Sequence, residues 1–338
     1  MNRTTRRRLE RIGLALTGLL AVAMLAFLAL EWLREYPYAG TLYDQFTTAG
    51  MWADYYLGTS VFGYSFMLRS IAAGVLVGIA APLVGTYLVH REMALIGETL
   101  AHTAFAGVAI GLLFSATTDW DGSLLVTALV VAILGALLVQ YLAERTNAYG
   151  DVPIAIMLTG SFAIGTLIIS YGRGGFSGVS IDDYLFGSAA VIPAEGARLV
   201  AILTVAVVAV VALTYKQLLF ITFDEQAARV ARLNVTWYNT LLIVMTAVVV
   251  VGAMQILGVI LVAAMLVIPV AAASQIARGF RETLALSILF GQGSVLGGFA
   301  FAISQGLPPG GSIVVVAIGI YLLALLASSR SGSAISIH

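Results

Sequence analysis

The residues best equipped for chemistry in this 338-residue chain lie in one stretch, Met93-Ala-Leu-Ile-Gly-Glu98-Thr-Leu-Ala-His102-Thr-Ala-Phe-Ala-Gly107. The spacing places a carboxylate and an imidazole on one face of a helix. Charged groups within an apolar span are rare and point to function by default. Both side chains can ligate a divalent metal: carboxylate with imidazole suits zinc, manganese, iron or nickel, whereas copper(I) prefers sulfur. The alternative is that Glu98 and His102 pair with each other, or satisfy polar contacts between helices. One copy supplies two side-chain ligands, fewer than the four usual for zinc. A two-fold dimer with this helix near its axis would supply four.

A second stretch is Phe220-Ile-Thr-Phe223-Asp224-Glu225-Gln-Ala-Ala228-Arg229-Val-Ala-Arg232-Leu-Asn234-Val. Asp224 and Glu225 stand where a helix would begin, and Arg229 and Arg232 stand toward its end, in keeping with the helix dipole and with acid-to-Arg pairing along one face. A short amphipathic helix between spans could dock a soluble partner; a solvated connector would read the same way. Asp182 and Asp183, ahead of Tyr184-Leu-Phe-Gly187-Ser, could concentrate cations at an outer mouth or merely solvate a loop. Gly291-Gln-Gly-Ser-Val-Leu-Gly297-Gly298 looks superficially like a nucleotide fingerprint, but it sits in an apolar span with no strand before it, which favours close helix packing. No P-loop occurs, so the chain does not itself hydrolyse ATP.

The elements that must position these residues are set by composition. The chain is 60% hydrophobic and 10% charged, where soluble domains carry about 25% charged residues. It has 35 Gly, many inside apolar runs, a pattern that fits helices packing closely in lipid. The absence of cysteine removes disulfides, thiolate metal sites, Fe–S clusters and Cys nucleophiles together. A formal net charge of zero argues against nucleic acid as a partner. A crossing helix needs about 20 apolar residues. Ten segments qualify, near 12–32, 66–89, 94–114, 123–143, 154–171, 197–215, 237–253, 255–275, 283–303 and 312–328, so the expected fold is an all-α, polytopic transmembrane bundle.

The bias of Lys and Arg in short loops gives the orientation. With both termini in the cytoplasm, all the basic residues fall inside except Arg34, Arg69, Arg173 and Arg198. The first segment reads as an uncleaved signal-anchor helix, because it is long and lacks a small-residue cleavage site before Glu31-Trp32. The aromatic stretch after it, from Trp52 through Tyr55 and Tyr56 to Phe66, suits the outer membrane interface.

With these segments in place, the chain resembles the membrane permease family of zinc, manganese and iron ABC importers. The resemblance lies at Gly97-Glu98-Thr99-Leu100-Ala101-His102, at Tyr184-Leu185-Phe186-Gly187-Ser188, at Phe223-Asp224-Glu225 with Ala228, at Gly258 through Pro269, and at Leu307-Pro308-Pro309-Gly310-Gly311-Ser312. It implies a type II importer-like permease with no tightly bound cofactor and no enzymatic activity of its own. Such a permease forms a homodimer, carries two copies of a separate ATPase that uses ATP at the cytoplasmic face, and receives metal from an external binding protein. Glu98 and His102 would then be ligands in the translocation path. Phe223, Asp224, Glu225, Ala228, Arg229 and Arg232 would form the coupling segment, and Gly258 and Pro269 a helix-packing signature. Glu98 stands where the family more often has Asp, which moves the oxygens by one methylene and bears on which metal fits. The chain divides into an N-terminal extension, 1–61, a permease domain, 62–330, and a short cytoplasmic tail, 331–338. A permease for a metal chelate, such as a siderophore or cobalamin, and a cation-coupled secondary carrier are the competing readings; the first needs few ion ligands in its path, and the second often shows internal repeats that are not evident here.

Overall fold

The computed structural model describes residues 3–332 apart from 60, 119–121, 146–151, 173–184, 186 and 188–191. Among the described residues the chain forms twelve helices: α1 Arg3–Trp32, α2 Pro37–Leu57, α3 Ser65–His90, α4 Leu95–Thr118, α5 Leu124–Arg145, α6 Val152–Tyr171, α7 Ala194–Phe223, α8 Glu225–Val230, α9 Val235–Leu257, α10 Val262–Ile276, α11 Phe280–Gln305 and α12 Pro309–Gly332. Nine of these are long and apolar enough to cross a membrane. The expected tenth span, 255–275, is broken instead. Gly258 takes a φ of 78°, turns the chain out of α9, and leaves α10 only 15 residues. At about 1.5 Å per residue that helix is near 22 Å long, short of a hydrocarbon core of about 30 Å.

The bundle is built around α3, whose apolar window is 94% buried, against 22% for α6 and 28% for α1. Pro82 lies inside α3 and removes the N–H that would pair with the Gly78 carbonyl, and side chains bond other carbonyls of the same helix. The Thr86 hydroxyl lies 2.7 Å from the Pro82 carbonyl and 3.0 Å from the Ser287 hydroxyl of α11. Gln292 Nε2 donates to the Val75 carbonyl at 2.5 Å. Gly291 lies against the Pro82 ring and the Gly78 carbonyl, and Gly298 against the Ile313 backbone, so the glycine-rich run of α11 serves helix packing.

The start of α1, the C-termini of α3 and α7, the N-terminus of α11, and α8 meet at one end of the bundle, since Glu10, Phe223 and Phe280 line one cavity there and His90 packs on the latter two. The opposite end carries the Glu31–Arg69 ion pair, 2.8 Å, between α1 and α3.

At that opposite end, Pro37–Leu57 is a helix, where the sequence suggested only an interfacial aromatic segment. Pro37 opens it and Gly58, with a φ of 64°, closes it. Its inner face sets Tyr43 and Phe46 on Phe27 of α1, with ring centroids 5.8 and 5.3 Å apart. Its outer face leaves Trp52, Tyr55 and Tyr56 exposed and packed on one another.

Asp54 then fastens the link from α2 to α3. Its Oδ1 accepts from Val61 N, Phe62 N and the Thr59 hydroxyl, and its Oδ2 from Gly63 N. Desolvation pushes the carboxyl up from 3.8, but these donors to the ionised form outweigh it and hold the group down to about 2. Because the folded value lies below the unfolded one, the turn is fully stabilised above about pH 4 and loses that support as pH falls toward 2. In Asp54→Asn, hydrogen exchange at the Val61, Phe62 and Gly63 amides at neutral pH should accelerate by roughly tenfold or more, the worth of one charged hydrogen bond. Unaltered exchange would mean that the turn is held by something else.

Candidate functional site

Glu98 and His102 lie in the first two turns of α4. This helix packs most extensively on α5 and α6 and also touches α9 and α10. It is fixed to α6 by the Thr99 hydroxyl, which donates to the Ile154 carbonyl at 3.3 Å, and it approaches α10 at Gly97, where an added Cβ would meet Leu266 Cδ1 at 2.7 Å. These contacts bury Gly97, Thr99, Leu100, Ala101 and Thr103 and leave a different face uncovered. On that face Glu98 is exposed and His102 half-buried.

Glu98 and His102 share no hydrogen bond or contact ion pair, although the carboxylate lies close enough to act electrostatically on the imidazole. The imidazole stands edge-on to Phe162 of α6, with ring centroids 4.9 Å apart, and Phe162 stacks on Phe105 at 5.8 Å. His102 Nδ1 is buried without a hydrogen-bond partner. An imidazole and a carboxylate one turn apart on α4 are groups that could accept a cation at a helix face that the monomer leaves open. Among the described residues no group of three or more His, Asp or Glu side chains gathers anywhere, so one copy offers two ligands here.

The packing signature meets this site from behind. Gly258 stands at the α9–α10 turn, and Pro269 is buried within α10. Gly187, with a φ of 77°, presses on the Ile256 carbonyl, and Ile260 N donates to the Leu185 carbonyl at 3.3 Å, so two of the sequence motifs dock on each other. Only glycine fits at 187, for the positive φ and for the close backbone approach alike. Gly85 of α3 presses on the Leu266 carbonyl from the other side of α10. Asp182 and Asp183 lie outside the described residues.

The second stretch forms a compact knob. The Asp224 side chain caps α8 by accepting from Ala227 N at 2.8 Å, and Glu225 pairs with Arg229 at 2.7 Å along the helix. Ala228 is fully buried against Ile221 and Val235, whereas Arg229 is exposed. Arg232 falls beyond the helix, in the left-handed region at a φ of 60°. Phe223 packs its ring on His90 and Phe280 at 6.2 and 5.6 Å.

Arg91 is the residue that the sequence did not single out. It reaches Glu225 of α8 at 3.5 Å with its own side chain only 9% exposed, and it stands at the turn that leads from α3 into α4. Glu92, beside it, holds a φ of 58°. The α8 knob thus touches the turn from which the Glu98 helix departs. A partner 134 positions away leaves no local signal in the sequence.

The profile of the ABC 3 transport family matches residues 63–328. Among curated proteins, the manganese transport system membrane protein MntC of Halalkalibacterium halodurans is 30% identical over 269 residues, covering 80% of this chain and 89% of that protein. MntC of Listeria monocytogenes is 29% identical, with 80% and 93% coverage. The solved structure of PsaBC from Streptococcus pneumoniae in complex with Fab superposes with a TM-score of 0.67 at 28% identity, over 77% of this chain and 91% of that one.

The clamp on α10 can be tested directly. Gly85→Ala should force α3 and α10 apart and cost about 1–3 kcal/mol, the usual range for overpacking, read as a lower thermal midpoint in detergent. A midpoint equal to wild type would show that α10 can slide on α3 without cost.

Proposed function

The chain belongs to the ABC 3 transport family, and from that premise we propose how it carries its cargo. It is the multi-pass membrane permease of an ATP-driven metal importer. Its cargo is a divalent transition metal of the manganese class, bound during passage by Glu98 and His102. The observation that carries this reading is the Glu98 carboxylate and the His102 imidazole side by side on the uncovered face of α4. An ionised carboxylate is not stable against hydrocarbon, so that face belongs against water, a second copy or the ion itself. Two copies of the permease related by a two-fold axis bring four ligands together, a set suited to an ion that must shed its hydration shell and then leave. Relatives named for manganese favour a bare ion over a chelate as cargo.

In this reading the end that carries α8 faces the cytoplasm, along with both termini. A separate ATPase docks on α8, an external binding protein delivers metal at the opposite end, and Asp182 and Asp183 belong to that outer mouth. Closure of the paired ATPases pushes α8. The push passes from Glu225 to Arg91 and into the turn that starts α4, and it reorients Glu98 and His102 between the two sides.

Two outcomes follow. Cells producing the permease with its ATPase should accumulate one of manganese, zinc, iron, cobalt or nickel, and His102→Ala should abolish that accumulation while remaining in the membrane. Wild-type uptake should decline below about pH 6, because protonation of the imidazole removes a ligand. Equal accumulation by the variant, or uptake indifferent to pH, would reduce His102 to a packing residue. Separately, Arg91→Ala in the reconstituted transporter should leave ATP hydrolysis running while metal uptake drops; parallel loss of both activities would argue against Arg91 as the link.

A further inference from the structure

A cavity of about 1010 Å³ opens at the α8 end between α1, α7 and α11, with no residue of α4 among its described lining. Its walls are apolar, with Leu14 of α1, Leu219 of α7 and Ala285 of α11. Its rim is cationic, with Arg11, Arg278 and Arg281. Arg11 and Arg278 have no ion-pair partner among the described residues. The Arg281 guanidinium lies 5.9 Å from the centre of the Tyr215 ring, and its Nε donates to the Tyr215 hydroxyl at 3.4 Å, which leaves its other N–H groups available. Two carboxylates, Glu10 and Glu282, also line the cavity, so its described ionic groups sum to one excess positive charge. Glu282 spends Oε2 on the Arg278 backbone N–H at 2.8 Å.

We propose that this cavity binds the phosphodiester headgroup of an anionic phospholipid from the adjoining leaflet. Three membrane-crossing helices begin or end around it, so the guanidinium groups stand at the depth where headgroups lie and the apolar walls at the depth of the first acyl carbons. A cavity of about 1010 Å³ has room for a headgroup, its glycerol and the first acyl carbons together. Free phosphate would use the arginines but leave the Leu14, Leu219 and Ala285 walls bare, and for that reason the lipid is the source the site fits. α1 precedes residues 63–328, so this is a site that the N-terminal helix adds to the family domain. Phe223 forms part of its wall, and the next residue caps α8. A bound lipid therefore holds α1, α7 and α11 together directly beside the coupling knob.

The test is native mass spectrometry of the full-length permease, exchanged into detergent containing equal amounts of phosphatidylglycerol and phosphatidylcholine. Wild type should retain phosphatidylglycerol with a preference on the order of tenfold, as expected of two guanidinium contacts to an anionic headgroup. The preference should fall to parity in the Arg278→Ala/Arg281→Ala double variant. It should also fall in Ala285→Trp, which obstructs the apolar wall and keeps every arginine. Equal retention of the two lipids by wild type would overturn the proposal, as would an undiminished preference in either variant that folds. Displacement of phosphatidylglycerol by inorganic phosphate at matched concentration would overturn it too, by identifying a free-anion site instead.

Discussion

Hydrocarbon offers no hydrogen bonds, so every polar group in a crossing helix must find its partner in protein, in a water-filled path or in a cargo. Most of this bundle obeys that constraint internally. Gln292 reaches the Val75 carbonyl, Thr86 meets Ser287, and Thr99 ties α4 to α6. The exposed Glu98 and the buried Nδ1 atom of His102 depart from that constraint together on α4, while Tyr87, Arg198, Gln217, Asn239, Gln255 and Gln292 each leave one buried side-chain atom without a partner elsewhere in the bundle. The helix is gripped on its other sides through Gly97, Thr99 and the Phe105–Phe162 stack, so the open face is fixed by packing. The same contacts that make α4 a rigid element therefore fix where Glu98 and His102 stand.

The placement of α10 follows from this. Gly258 ends α9 early, and the short helix that follows is wedged between Gly85 of α3 and Gly97 of α4, both of which close on Leu266. A full-length span there would lose the turn that receives Gly187 and Leu185. α4 is thus held near its first turn by α10, and it is entered from a turn that Arg91 fastens to α8. Small displacements at either contact reach Glu98 through few intervening groups, because close-packed helices shift between discrete arrangements and do not deform smoothly.

Much of this is legible in the sequence, for identifiable reasons. Crossing helices announce themselves by about 20 apolar residues, and the spacing of Glu98 and His102 is enough by itself to put both groups on one helix face. The helix at Pro37–Leu57 is not legible, because Asp44 and Asp54 interrupt an aromatic run that carries no crossing signal; what makes it a helix is Phe27 of α1 beneath Tyr43 and Phe46. The sequence suggests an end to α7 near 215 because Lys216 looks like a loop residue, yet the helix continues to Phe223, where its ring packs on His90 and Phe280. The Arg91–Glu225 contact is invisible for the same reason: local periodicity says nothing of a partner brought in by the fold.

The N-terminal helix shows how far the bundle departs from a domain with an anchor attached. A passive anchor would meet its neighbours through lipid-like surface alone, apolar all round. α1 instead buries Phe27 and Leu28, and it closes an ion pair from Glu31 to Arg69 of α3 in which the carboxylate side chain is only 9% exposed. Removing one member of such a pair strands the other charge, a loss of about 3–5 kcal/mol where the site is dry. Trp32 lies 5.9 Å from the Arg198 guanidinium of α7, so the end of α1 also engages a second helix of the family domain. Arg69 and Arg198 are two of the four basic residues that the orientation expected from the charge bias leaves unexplained, and both lie at the end opposite α8. Each meets a group of α1 there, so these exceptions to the sidedness rule record a structural dependence of the permease domain on the helix that precedes it.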